Sequence, residues 1–268
     1  VLRLMEETHI RIGNDYYAKR NKTYGLSTLR TRHVTTTKEK IRFEFVGKKG
    51  KKHNITLRNK KLAKLVNRCE EIPGWELFQF YDAAGEKHRV DSTMVNDYIH
   101  ELSGDLFSAK DFRTWGATKT FFETVHDLGY TEDEKENKAN ILTAFDAAAE
   151  ALGNTRNVCR KYYVHPQIVD AYESGSIVAE FKKVDAHQGA RPFFTETEEV
   201  LLKMISKFED FSPYEQKLGN AFRYYSHYFP DSAIPEICTF YSNFNAKCFP
   251  MPTKLGIGLD MYIGKENE

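Results

Sequence analysis

A chain of 268 residues with 29% charged and 41% hydrophobic side chains fits a water-soluble globular protein with room for a sizeable core, and no run approaches the roughly 20 apolar residues of a membrane span. The four cysteines form no C-x-x-C pair and the nine histidines no H-E-x-x-H, which argues against a disulfide framework or a zinc site and for reduced thiols in a cytoplasmic protein. The net charge of +1 conceals an asymmetry: residues 1–69 carry 19 Lys+Arg against 5 Asp+Glu, a balance of +14, whereas residues 171–268 carry 10 against 14, a balance of −4, so the front end has the footprint of a polyanion binder.

The opening "VLRLMEETHI" has neither an initiator Met nor a signal peptide, and reads as the middle of an amphipathic helix. The chain is therefore expected to be a fragment. A helix is predicted over residues 1–12, with Gly13-Asn14 ending it. The stretch 23–37 is rich in β-branched residues. "IRFEFVG" (41–47) alternates Ile41, Phe43 and Phe45 with Arg42 and Glu44, the pattern of a half-buried strand. "KKHNITL" (51–57) is its natural partner, which makes "GKKGKK" (47–52) a hairpin tip that projects four lysines away from the sheet.

From residue 58 the period becomes helical, with Leu62, Leu65, Val66 and Cys69 on one face. Ser92 is expected to cap a helix to about 102, and Ser108 with Asp111 forms a capping box for the helix that runs to Leu128. "TEDEKENK" (131–138) is a solvated acidic loop or first turn. "NILTAFDAAAEAL" (140–152) is an Ala-rich helix that Gly153 ends. After about 173 periodicity weakens. A helix is expected at 195–208, strands and turns over the aromatic-rich 224–245, and a short strand at 254–264. A small sheet followed by helices predicts an α+β, mainly α fold.

"GNTRNVCRKYYVHP" (153–166) sets two tyrosines beside Arg156, Arg160 and Lys161. A free phenol has a pKa of about 10. A tyrosine that cleaves a phosphodiester therefore needs cations, which lower that pKa and stabilise charge building on phosphorus. Arginine suits this because its planar fork reaches two phosphate oxygens and stays charged. Lysine can protonate the leaving 5′ oxygen. Groups of these types stand at Arg11 in "IRIGN", Lys48 in "FVGKKGK", Arg113 in "KDFRT" and in the tyrosine pair, where composition leaves Tyr162 and Tyr163 equivalent. Each alone has a plainer explanation: a surface cation, an edge-protecting lysine, a structural ion pair, a core aromatic.

Together, "RIGNDYYAKRNKTYGLSTLRTRHV", "FVGKKGKKH", "AKDFRTWGA" and "LGNTRNVCRKYYVHP" resemble, in order and spacing, the catalytic domain of type IB DNA topoisomerases of the bacterial and poxvirus type, over about residues 1–175. The resemblance implies the DNA breaking-rejoining fold shared with tyrosine recombinases. It also implies an enzyme that relaxes supercoiled double-stranded DNA as a monomer, without ATP, metal or other cofactor, in the cytoplasm at the nucleoid. In that reading Arg11 and Arg113 clamp the scissile phosphate, Lys48 is the general acid, and Tyr163 is the nucleophile that forms a 3′-phosphotyrosyl link, with Tyr162 its packing neighbour. Asn154 stands where many relatives have a His. An amide can donate a hydrogen bond but cannot titrate, so no acid–base role falls to it. Tyr17, Lys110 and Arg160 are expected DNA contacts.

A tyrosine recombinase would show His-x-x-Arg where this chain has Lys110-Asp111-Phe112-Arg113. A non-catalytic DNA-binding fragment would lack one of the catalytic positions. The resemblance implies an N-terminal clamp domain, which these residues are expected to lack. Residues 176–204 read as a linker with one helix. Residues 205–268, with "AFRYYSHYFPDSAIPEICTFYSNFN" and "LGIGLDMYIGKE", resemble part of the gliding-motility lipoprotein family B of Bacteroidetes-type bacteria. Joining these to a DNA enzyme points to a fusion of neighbouring reading frames or an assembly artefact.

Overall fold

The computed structural model describes residues 1–103, 107–186, 194–205, 212–230, 234, 236–240, 248–250 and 254–258, with side chains up to 205, for 219–230 and for 234. The first helix, α1 (Leu2–Thr8), is shorter than the periodicity predicts. Thr8 turns its hydroxyl back to the Leu4 carbonyl at 2.5 Å, and His9 enters the left-handed region at φ 51°, its amide closing the turn on Met5. Arg11 therefore lies beyond the helix, in an extended link to α2 (Asp15–Asn21), which Asn14 caps by accepting from the Tyr16 amide.

Strands β1 (Val34–Thr36), β2 (Lys40–Val46) and β3 (Lys52–Arg58) form an antiparallel sheet in that order. Period-two patterning is obeyed along β2. Ile41 and Phe43 are fully buried and Phe45 nearly so, while Arg42 and Glu44 face water. Burying each of these apolar side chains contributes about 1.5–3 kcal/mol. A 3₁₀ turn, Lys48–Gly50, closes the hairpin. Helix α3 (Lys60–Glu70), capped by Asn59, covers the sheet with Leu62, Ala63 and Val66; Leu65, expected on that face, is exposed. A second ribbon, β4 (Gln79–Tyr81) with β5 (Lys87–Arg89), carries too short a pattern to be read from the sequence.

Helix α4 (Ser92–Ser103) follows, and its cap is Asp91, which accepts from the Met94 amide, rather than Ser92. Helix α5 (Asp111–Leu128) opens on the expected box, the Asp111 carboxylate accepting from both the Ser108 amide and hydroxyl. Helix α6 (Glu134–Leu152) takes in much of the acidic stretch as its first turn and ends at Gly153, φ 64°. Then come α7 (Arg156–Tyr162), α8 (Pro166–Glu173), α9 (Val178–Ala186), α10 (Glu196–Ile205) and α11 (Ser212–Tyr228). The mixed sheet of β6 (Glu236–Phe240), β7 (Cys248–Pro250) and β8 (Lys254–Gly258) ends the described chain; β6 and β8 are parallel, β7 and β8 antiparallel.

Residues 224–228 are thus helical where strands and turns were expected, and α9 arises where the sequence shows little periodicity. The last residues of the helix expected at 195–208, the 241–245 part of the aromatic stretch and 259–264 of the expected strand lie outside the described residues. The architecture is mainly helical with small sheets, and no described helix is long and apolar enough to cross a membrane. The chain divides into two compact units, one of Val1–Thr120 with Phe145–Tyr163, the other of Phe121–Ala144 with Val164–Glu268. In the second, the buried Tyr172 donates to the Gly129 carbonyl at 2.6 Å and accepts from Asn140, while Phe122 and Phe181 meet edge to face.

Candidate active site

All five proposed catalytic positions belong to the first unit. The link that carries Arg11 is stitched to the 3₁₀ turn Leu26–Thr28: the Leu26 amide donates to the Arg11 carbonyl at 2.9 Å and the Ser27 amide to that of Ile12 at 2.7 Å. This close approach needs glycine, since a Cβ on Gly25 would sit 2.5 Å from the Cα of Gly13. So held, Arg11 directs Nη2 to the Oδ1 of Asn154 at 2.6 Å.

Asn154 follows the left-handed Gly153, and its amide returns to the Ala149 carbonyl at 2.8 Å, which fixes the turn between α6 and α7. Its side-chain Nδ2 is buried without an aligned hydrogen-bond partner, yet stands near enough to the Cys159 thiol and the Tyr163 phenol to favour their anions.

Arg113 sits in the first turn of α5 and is only 4% exposed. One terminal nitrogen donates to the His9 carbonyl and the other to the Leu152 carbonyl, the latter at 2.9 Å. Two backbone carbonyls thus hold the guanidinium, and no carboxylate neutralises it through a described ion pair. The left-handed His9 has a structural consequence here: it turns its carbonyl toward Arg113. The Nε of Arg113 is buried without an aligned partner. Burial first, then the charge of Arg11, draws the guanidinium down to about 10 against the opposing pull of Tyr163, so it stays charged at neutral pH.

Tyr163 stands just past the end of α7. Its amide donates to the Cys159 carbonyl at 3.0 Å, and its carbonyl accepts from the Thr118 hydroxyl at 3.2 Å. The Arg113 guanidinium lies over its ring, 5.4 Å from the centroid. Burial, the largest single influence, pushes the phenol up. Arg113 as charge and as donor, then Arg11, then the Asn154 amide outweigh it and bring the phenol below its ordinary value.

The cations beside Tyr163 are therefore remote in sequence. Of its local neighbours, Arg156 is paired with Asp146 at the surface, Arg160 is exposed, and Lys161 lies over the ring of Tyr162. Tyr162 is 43% exposed, which corrects its expected role as a packing neighbour. Tyr17 is exposed and meets Tyr16 edge to face, and Lys110 is exposed at the entry to α5.

Lys48 stands apart, at the exposed hairpin tip, and no described hydrogen bond or ion pair joins it to the cluster. The lysine whose charge reaches the cluster is Lys51, which acts on the Cys159 thiol and on His53. Sequence reasoning singled out neither. His53 stacks on Phe45, centroids 4.8 Å apart, and burial, then Arg11, Lys51 and Arg113, depress it to about 4, so the ring is neutral at neutral pH. The period of β3 could have flagged it, since His53 pairs with the buried Phe45 across the sheet.

This gathering of a depressed phenol and buried donors without aligned partners agrees with comparisons to known proteins. A family profile described as Eukaryotic DNA topoisomerase I, catalytic core, matches residues 1–188. The DNA topoisomerase 1B of Acanthamoeba polyphaga mimivirus is 33% identical over 183 residues, 65% of this chain and 54% of that protein. The DNA topoisomerase 1 of Rabbit fibroma virus (strain Kasza) is 28% identical over 181 residues, and the DNA topoisomerase 1B of Vaccinia virus (strain Copenhagen) 25% over 173, each covering 63% of this chain and 52% of the relative. The chain spans about half the length of these curated relatives, which are viral; a bacterial assignment draws no support from them. A second profile, Gliding motility protein GldB, matches residues 138–268 and overlaps the first over 138–188. With a match that runs through every proposed catalytic position, the chain belongs to the DNA topoisomerase I catalytic-core family.

Proposed function

We propose that this chain carries the cleavage centre of a type IB topoisomerase, built on the DNA breaking-rejoining fold. Tyr163 loses its phenolic proton to solvent, and its oxygen attacks a backbone phosphorus as the bond to the 5′ oxygen breaks. A lysine ammonium gives its proton to that oxygen, leaving a 5′ hydroxyl and a 3′-phosphotyrosyl link. Arg11 and Arg113 neutralise the non-bridging oxygens, and Asn154 donates a hydrogen bond to one of them. The reverse transfer, after the free strand has rotated, reseals the strand at lower supercoiling without ATP, because the bond energy is kept in the phosphotyrosine. The partner is double-stranded DNA met by a monomer, with Tyr17, Lys110 and Arg160 touching its backbone.

The observation that carries this reading is the pair of buried donors, Arg113 Nε and Asn154 Nδ2, that lack aligned protein partners beside a phenol of lowered pKa. A buried donor without a well-aligned acceptor costs up to about 1–3 kcal/mol, and a phosphate oxygen would offset that cost. For the proton donor, Lys48 matches the family motif and Lys51 lies nearer the cluster, so both are candidates. The test is plasmid relaxation in EDTA without ATP, with denaturation to trap the covalent adduct, beside Tyr163→Phe. Absence of both relaxation and adduct in the unaltered chain refutes the reading for this chain.

A further inference from the structure

The imidazole of His53 occupies a position that no part of the proposed chemistry uses. Its two edges face two glycines from distant parts of the sequence. A Cβ built on Gly47 would fall 2.6 Å from Nε2 and 2.7 Å from Cδ2; one built on Gly153 would fall 2.9 Å from Cε1. Gly47 immediately precedes Lys48, and Gly153 immediately precedes Asn154. The ring thus separates the base of the lysine hairpin from the turn that leads to Tyr163, with no room for a side chain on either neighbour. Its plane is set by the stack on Phe45, only 12° from parallel, and the Gly47 amide closes the hairpin base on the Lys51 carbonyl at 2.7 Å. Because the ring is neutral, it serves as a spacer rather than as another cation among Arg11, Lys51 and Arg113.

We propose that His53 is a positioning residue for leaving-group protonation: its ring seats the lysine hairpin against the Gly153–Asn154 turn, so that the proton donor meets the 5′ oxygen as its bond to phosphorus breaks. The inference rests on the cleavage reading above. The misplacement it describes touches one half of the reaction, proton delivery, and leaves attack by Tyr163 intact. A 5′-bridging sulfur separates the halves, because a thiolate leaves without needing a proton.

The experiment compares single-turnover cleavage of a DNA duplex holding an ordinary phosphodiester with the same duplex holding a 5′-bridging phosphorothiolate, using the full chain. His53→Ala should slow cleavage of the ordinary duplex by about 10²-fold, the usual effect of roughly 1 Å of misplacement, and cleave the sulfur duplex near the unaltered rate. Gly47→Ala, at an ordinary φ of −96°, should behave likewise by pushing on the ring. The double variant should be no slower than His53→Ala alone, since its collision is gone. Equal slowing on both duplexes, or none on either, overturns the proposal. An unaltered chain that forms no adduct even with the sulfur duplex refutes the cleavage reading itself, and this inference with it.

Discussion

The clamp around Tyr163 and the hairpin that carries Lys48 lie in one compact unit but are built differently. Arg113 is 4% exposed and is fixed by two backbone carbonyls; Arg11 and Asn154 hold each other at 2.6 Å. The hairpin tip, by contrast, leaves Lys48 and Lys49 in water, with Lys49 in the left-handed region. Donors to a developing charge act by being in place before the reaction, when reorganisation would cost most. A proton donor is needed only when the leaving oxygen is present, so it can arrive with DNA. The contrast therefore separates what this chain has organised in advance from what the substrate must complete.

The largest test of the organised side is the proposed nucleophile. Tyr163→Phe should abolish the covalent adduct, read by denaturing gel, while leaving DNA affinity nearly unchanged. Next is Arg113→Ala, expected to slow cleavage by about 10²-fold or more. Arg113→Lys should rescue little, because an ammonium cannot span the His9 and Leu152 carbonyls and still offer a third donor. Arg113→Ala also removes a cation that holds the phenol down, so the rise of cleavage rate with pH should move to higher pH in that variant.

The two lysines sharpen the other side. If the exposed tip delivers the proton, Lys48→Ala should be slow on an ordinary phosphodiester and rescued by a bridging sulfur, with Lys51→Ala affected several-fold through electrostatics alone. The reverse pattern would assign the proton to the lysine already near the cluster and make the tip a DNA contact.

A smaller effect concerns stability. His9, His33 and His53 are each depressed to about 4, in every case first by burial and then by neighbouring cations. A depressed pKa means that the unfolded chain binds the proton more readily. These groups contribute their full stability above about pH 6.5, and it is lost as pH falls toward 4. Thermal melts should therefore drop over that window, and His53→Phe should flatten part of the drop.

How much of this was legible in the sequence follows from what each signal reports. Alternation in β2 reports burial directly, so Ile41, Phe43 and Phe45 could be assigned. The end of α1 could not, because it turns on a left-handed histidine whose carbonyl is held by Arg113, 104 residues away. At 224–228, aromatic content suggested strands, yet Tyr224, Tyr225 and Tyr228 recur at helical spacing and stand exposed on α11. Around the site, local composition pointed to Arg156, Arg160 and Lys161, whereas Arg113 and Arg11 lie beside Tyr163. The sequence offers proximity along the chain; catalysis needs proximity in space, and only ordered motifs at a distance hinted at it.

The smallest expected effect is also the cleanest discriminator between local and distant cations. Tyr162 and Tyr163 share a sequence neighbourhood, so any activation that came from Arg160 and Lys161 would reach both. Lys161 in fact lies 5.2 Å from the ring centre of Tyr162, a contact open to solvent and worth no more than about 0.5–1 kcal/mol. Tyr163 instead has buried Arg113 over its ring, where charge is screened far less. Tyr162→Phe should therefore change the cleavage rate less than about twofold, a free-energy change below roughly 0.5 kcal/mol. A loss of tenfold or more would mean that the exposed phenol takes part, and that the organised clamp is not what selects the nucleophile.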